Sequence, residues 1–206
     1  MLYRIFKALE HRLSLGVSIY LDKHIPLGAG LGGASSNAAG LISFLAREMG
    51  WVLTAPWLRA LIPTWGADIP FFLRGGTVLV EGIGERLTPM DPVAWQSYLL
   101  IYPEFEISSA RAYQLFDQHR FLPEPGEWVN DFRSVIFEAY PRLNEIEAVV
   151  QGQGLPGVQL SGSGSTVFIP FLVEHDAAAW EDRLRGVLSG CRVMAVKPVL
   201  VGIDDF

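Results

Sequence analysis

The sequence predicts an α+β fold in two domains. Apolar positions recur at helical spacing in some stretches and alternate in others, without the strand–helix cadence of a doubly wound parallel sheet. Two glycine–serine segments, at 26–39 and 159–168, each stand beside a strand-like run. Half of the 206 residues are hydrophobic and 18% are charged, a balance that supports a buried core and excludes disorder. A modest shift in composition around 88–95 divides the chain into domains 1–90 and 91–206, the last strand being a candidate to return to the first domain.

The elements follow in order. Leu2, Ile5, Phe6, Leu9 and Leu13 trace one face of a helix over 2–13. Residues 17–21 alternate with period two and predict a half-buried strand. From Asn37 the apolar series Ala38, Leu41, Ile42, Leu45, Met49 predicts a helix that stops at Gly50. A short helix is expected over 55–62, with Thr54 as N-cap and Pro56 early in its first turn. Residues 77–81 read as a strand turning at Gly82-Ile-Gly84, and 98–102 as a short buried strand. Ser108 and Ser109 precede a helix over 110–117, 123–128 is a loop, and 130–139 leads to a helix over 143–150. Glycine-rich 152–157 feeds the second glycine–serine segment, followed by a helix over 174–188 and a strand over 192–201.

Composition excludes several classes. A net charge of −6 offers no footprint for nucleic acid, and the aromatics do not alternate with Lys/Arg runs. No apolar run approaches the ~18 residues of a membrane span, so no membrane partner is expected. The four histidines lack metal-ligand spacing. The single cysteine, Cys191, allows no intrachain disulfide and suits a reducing cytoplasm, where the protein is expected.

The candidate site centres on Pro26-Leu-Gly-Ala-Gly-Leu-Gly-Gly-Ala-Ser-Ser-Asn-Ala-Ala39. Gly28, Gly30, Gly32 and Gly33 leave the backbone bare, so that its N–H groups can converge on an anion. Ser35 and Ser36 stand where a helix begins, and a helix N-terminus favours negative charge. Eight of the ten residues from Gly28 to Asn37 are small, more than a flexible turn requires. The loop spells Gly28-x-Gly30-x-x-Gly33, yet no second strand ending in an acidic residue follows at the distance a dinucleotide fold needs. No Gly-Lys-Ser/Thr occurs, which excludes a Walker A loop. Downstream, the carboxylate of Asp68 interrupts an apolar run. A carboxylate held among apolar groups binds its proton more tightly, which suits a general base, although an Asp there also suits a helix or turn cap.

The pattern Pro-x-x-x-Gly-Leu-Gly followed by two small residues and Ser-Ser-x-Ala-Ala resembles the nucleotide loop of the GHMP kinases. Gly66-Ala-Asp-Ile-Pro-Phe-Phe72 and the run from Gly75 to Pro89 are similar to the 4-diphosphocytidyl-2-C-methyl-D-erythritol kinase family within them. Ile107-Ser-Ser-Ala-Arg-Ala-Tyr113, Asn130-Asp131 and Leu160-Ser-Gly-Ser-Gly-Ser-Thr-Val-Phe168 follow in the family's order. The resemblance implies an N-terminal domain like the second domain of ribosomal protein S5 and a ferredoxin-like C-terminal domain. It implies ATP and Mg²⁺, a cytidine-diphosphate-linked polyol as phosphoryl acceptor at its 2-hydroxyl, and a place in non-mevalonate isoprenoid synthesis. Asp68 would be the base and contact the substrate. Lys23, Pro26, Gly28, Gly30, Leu31, Gly32, Gly33, Ser35 and Ser36 would bind the nucleotide, Ser36 reaching the metal, while Gly162, Ser163 and Gly164 floor the substrate site.

The family's opening Pro-Ala-Lys-Ile-Asn-Leu type strand, whose lysine pairs with the catalytic Asp, has no counterpart here. The chain is therefore expected to be an N-terminally truncated form, with uncovered sheet edges that favour self-association. Two further readings share the motifs: an impaired remnant that binds nucleotide or acts as a scaffold, and another GHMP small-molecule kinase. Gly66-Ala-Asp-Ile-Pro70 argues against the latter.

Overall fold

The computed structural model describes residues 1–119, 130–199 and 201–203; the loop expected at 123–128 lies outside them. It is a mixed α+β structure whose chain divides into two units. The first holds Met1–Lys23, Gly32–Val93 and the described residues of Val199–Phe206. The second holds His24–Leu31 and the described residues of Ala94–Pro198.

In the first unit, α1 (Leu2–Leu9) buries Ile5 and Leu9 and tightens into a 3₁₀ turn at Glu10–Arg12. Helix α2 (Gly33–Met49) turns Ala38, Leu41, Ile42 and Leu45 into the same core, the face that the 3.6-residue period selects. Gly50 ends it in the left-handed region, its N–H donating to the carbonyls of Ala46 and Arg47. The start lies four residues before the expected Asn37, because glycine and serine carry no apolar periodicity. Helix α3 (Pro56–Trp65) opens on Pro56 with Ala55 as its N-cap, displacing Thr54 from that role. Helix α4 (Ile69–Arg74) follows and buries Ile69. Strands β1 (Val78–Glu81) and β2 (Arg86–Pro89) form an antiparallel hairpin, Val80 opposite Leu87.

The strand expected over 17–21 is absent. The segment forms no ladder, and its alternation leaves Ile19 and Leu21 exposed and Tyr20 at 93% exposure. Extended backbone becomes a strand only when a neighbour accepts its hydrogen bonds, and among the described residues none does.

The second unit is built on a four-stranded antiparallel sheet ordered β4-β5-β3-β6, from β3 (Ser97–Tyr102), β4 (Gln159–Leu160), β5 (Val167–Phe171) and β6 (Arg192–Val196). Helices α5 (Ser109–Gln118), α6 (Arg133–Ala139) and α7 (Arg142–Gly152) separate β3 from β4, and α8 (Asp176–Val187) separates β5 from β6. This is the split β-α-β topology of a ferredoxin-like domain. Leu99 pairs with Ile169, and Ile101 lies between Val167 and Val193, so one face of the sheet is a continuous apolar layer. Ala112, Leu115, Ile136, Ile146 and Leu184 belong to the same buried cluster. The ordinary N-cap of α5 is Ser108, which accepts from the Arg111 N–H at 3.2 Å. Strand β6 stops at Val196, short of the expected residue 201, and the described residues from Val199 onward belong with the first unit.

Candidate anion-holding site

The glycine loop divides between the units after Leu31. In the second unit, Gly28 and Gly30 have φ of +57° and +72°, a region that glycine enters without steric cost. Their carbonyls are committed to the second glycine–serine loop and to the approach to α5. Gly28 O accepts from the N–H groups of Ile107 at 3.0 Å and Ser165 at 3.3 Å, Ala29 O from Thr166 N–H at 3.1 Å, and Gly30 O from the Ser161 hydroxyl at 2.9 Å. A trans peptide points its C=O and the following N–H in opposite directions. The N–H groups of Ala29, Gly30 and Leu31 therefore face away from these partners, as donors for an anion. A Cβ on Gly30 would lie 2.2 Å from Ser161 O, so this close approach requires glycine.

The other loop is held in turn. Asn130 Nδ2 donates to Leu160 O at 2.9 Å and Gly162 O at 2.7 Å, and the Ser163 and Ser109 hydroxyls lie 3.2 Å apart. Ser165 and Thr166 are fully buried, and the Ser165 hydroxyl donates to Phe105 O. Pro26 is half-buried ahead of the loop.

In the first unit, Gly32 is the left-handed N-cap of α2, without a side-chain cap. Ser36 N–H makes the first bond, to Gly32 O at 2.9 Å, which leaves the N–H groups of Gly33, Ala34 and Ser35 as the free donors of the opening turn. Ser35 is buried and the Ser36 hydroxyl donates to Gly33 O at 3.1 Å; the two serines lie inside the first turn rather than ahead of it. The Phe72 ring of α4 occupies the space where a Gly32 Cβ would stand, 2.5 Å from Cζ, which sets the start of α2 against α4. Asp68 is the residue before α4; its carbonyl accepts from Phe72 N–H at 3.2 Å and its side chain caps nothing. Asp68 is exposed, contrary to the desolvation expected of a carboxylate in an apolar run. Ile69 and Phe72 turn inward from the helix while Asp68 precedes it. Lys23 is exposed.

Sequence reasoning missed Asn130 and Ser161 as determinants of loop shape. Their signal was weak: an amide and a hydroxyl whose partners are backbone carbonyls far away in the chain. The first unit also has a cavity of about 800 Å³ lined by α3, α4 and the hairpin, including Arg59, Arg74 and Glu85, and one of about 510 Å³ beside α2 lined by Ser43, Arg47 and Trp51. Asp68, Ser35 and Ser36 line neither. Backbone donors hold an anion at a surface and need no deep apolar hollow. Among the described residues no cluster of His, Cys, Asp and Glu could hold a metal ion, and no helix is long and apolar enough to cross a membrane.

Residues 1–76 match the family model of the GHMP kinases N terminal domain. The chain is 38% identical over 175 residues to a 4-diphosphocytidyl-2-C-methyl-D-erythritol kinase of Solidesulfovibrio magneticus, covering 74% of this chain and 59% of that protein. It is 36% identical over 199 residues to one of Syntrophotalea carbinolica, covering 89% and 70%. A crystal structure of 4-(cytidine 5′-diphospho)-2C-methyl-D-erythritol kinase superimposes with a TM-score of 0.65 at 30% identity, covering 84% of this chain and 68% of the other. The chain thus spans about three fifths of the length of several curated relatives, 63% for that of Geobacter sulfurreducens.

Proposed function

The chain belongs to the 4-diphosphocytidyl-2-C-methyl-D-erythritol kinase family of GHMP kinases, and from that premise we propose that it transfers the γ-phosphoryl group of ATP to the 2-hydroxyl of 4-diphosphocytidyl-2-C-methyl-D-erythritol. The observation that carries this reading is the set of turned-out N–H groups at Ala29, Gly30 and Leu31, each sharing its peptide with an occupied carbonyl, that of Gly28, Ala29 or Gly30. These donors would hold phosphate, and the family resemblance would also give the opening turn of α2, Pro26 and Lys23 to the nucleotide. Gly162, Ser163 and Gly164 would bound the acceptor.

Phosphoryl transfer asks for position and charge neutralisation more than for covalent help from the protein. Asp68 would take the proton of the 2-hydroxyl as its oxygen bonds to the γ-phosphorus and the bond to the ADP oxygen breaks. Its exposure leaves it reachable by a substrate hydroxyl. A bound Mg²⁺ would neutralise phosphate charge. Ser36 fits a ligand role, because its proton is committed to Gly33 O and its lone pairs remain. The reaction belongs to isoprenoid precursor synthesis by the non-mevalonate route, and the lone cysteine supports a cytoplasmic setting.

The second reading, a nucleotide binder without turnover, is favoured by one observation: no ion pair of the described residues involves Asp68. ADP release with the diphosphocytidyl substrate separates the two. Turnover by the wild-type chain that falls about 100-fold or more in Asp68→Asn, with ADP affinity kept within about threefold, supports the kinase and its base. Full activity in that variant overturns the base, and ADP binding without turnover in the wild type selects the second reading.

A further inference from the structure

We propose that Asn130 is a positioning residue for the phosphate-holding stretch, acting through the loop at 161–166; its effect on nucleotide rests on the kinase reading above. Asn130 stands just before α6, and its side chain makes three bonds. Nδ2 donates to Leu160 O at 2.9 Å and to Gly162 O at 2.7 Å, and Oδ1 accepts from Phe132 N–H at 3.0 Å. Only this orientation of the amide works, since the reverse would set its oxygen against two carbonyl oxygens. One side chain thus grips both ends of the turn from the last residue of β4 to Gly162.

That turn shapes the next one. Gly164 N–H donates to Ser161 O at 2.9 Å, and Ser161 N–H to Thr166 O at 2.9 Å. From this closed loop come three of the four donors that occupy the carbonyls of Gly28, Ala29 and Gly30: the amides of Ser165 and Thr166 and the hydroxyl of Ser161. Those carbonyl directions fix the directions of the N–H groups at Ala29, Gly30 and Leu31. The donor geometry thus descends from Asn130 through this loop. Alanine would leave the carbonyls of Leu160 and Gly162 without this donor. Aspartate, of the same shape, would place a carboxylate oxygen against them.

Amide hydrogen exchange on wild type, Asn130→Ala and Asn130→Asp tests this without any ligand. The expected result is exchange faster by about tenfold or more at Ser165 and Thr166 in both variants, with the β3 and β5 amides unchanged. At pH near 4.5, Asn130→Asp should move back toward wild type measured at the same pH, because a protonated carboxyl donates one hydrogen bond; Asn130→Ala should not. Unchanged exchange at Ser165 and Thr166 overturns the proposal, and so does a loss of protection spread evenly through β3 and β5. Titration of the same proteins with ADP and magnesium separates the two readings. Loosened amides with no ADP binding by any form support the positioning role and overturn the nucleotide reading. Equal ADP affinity in wild type and both variants overturns the positioning role.

Discussion

The Ser161 hydroxyl donates to the carbonyl oxygen of Gly30 at 2.9 Å, across 131 positions of the chain. A loop of small residues has little shape of its own, because glycine populates both signs of φ. Here the shape comes from remote donors that take each carbonyl in turn. The glycines permit the conformation, and the loop at 161–166 selects it.

Ser161→Ala should therefore weaken nucleotide binding without disturbing the sheet. Loss of one neutral hydrogen bond costs about 1 kcal/mol, or about fivefold in affinity if it is spent wholly on loop order. Calorimetric titration with ADP reads the affinity, and a melting temperature changed by no more than about 5 °C would show that the fold is kept.

Gly84→Ala should lower turnover while leaving ADP affinity near the wild-type value. Gly84 lies in the β1–β2 turn with φ +98°, and a Cβ there would stand 1.9 Å from Ala67 O, one residue before Asp68. Relief of that clash must move either the turn or the backbone that leads to Asp68. Steady-state kinetics would show the effect in kcat, with an expected loss of at least about tenfold.

His119→Gln should flatten part of the pH dependence of stability. His119 follows α5; its Nδ1 lies 3.0 Å from Leu115 O and its Nε2 3.0 Å from a Glu138 oxygen. The backbone carbonyl first, and then the carboxylate, favour the imidazolium and raise its pKa above the ordinary 6.5. A raised folded-state pKa contributes stability that is full below about 6.5 and is lost as pH rises through the higher value. Melting temperatures at pH 5.5 and pH 8 should differ more in wild type than in the variant, by on the order of a degree or two.

Much of the fold was legible because periodicity and burial agree. The buried face of α2, its stop at Gly50, the Ser108 cap and the buried run of β3 are all local patterns with local causes. The errors arise where the structure depends on more than the local apolar pattern. Alternation at 17–21 reads as a strand, but a strand also needs a ladder. Strand β2 escaped notice because four residues ending in Pro89 carry almost no signal until β1 pairs with them. Asp68 reads as enclosed from its neighbours in sequence, whereas the start of α4 turns those neighbours inward and leaves it out. The glycine loop stood out from composition alone, as a run of small residues ahead of a helix. Asn130, which holds its support, was not, since nothing local distinguishes an amide bonded to two carbonyls from one in water.

Residues His24–Leu31 belong with Ala94–Pro198 although some sixty residues of the first unit intervene, so no single cut of the chain separates the units intact. A fragment of 94–198 would carry the whole four-stranded sheet and still be unfinished. Its Ile107, Ser165 and Thr166 amides would face an empty slot lacking the carbonyls they need. Such a fragment becomes a receptor for its own missing piece: a short synthetic peptide spanning 24–31 should bind it and restore protection at those amides. The segment 24–31 is in this sense a ligand of the domain that shapes it, tethered by the chain instead of held by affinity.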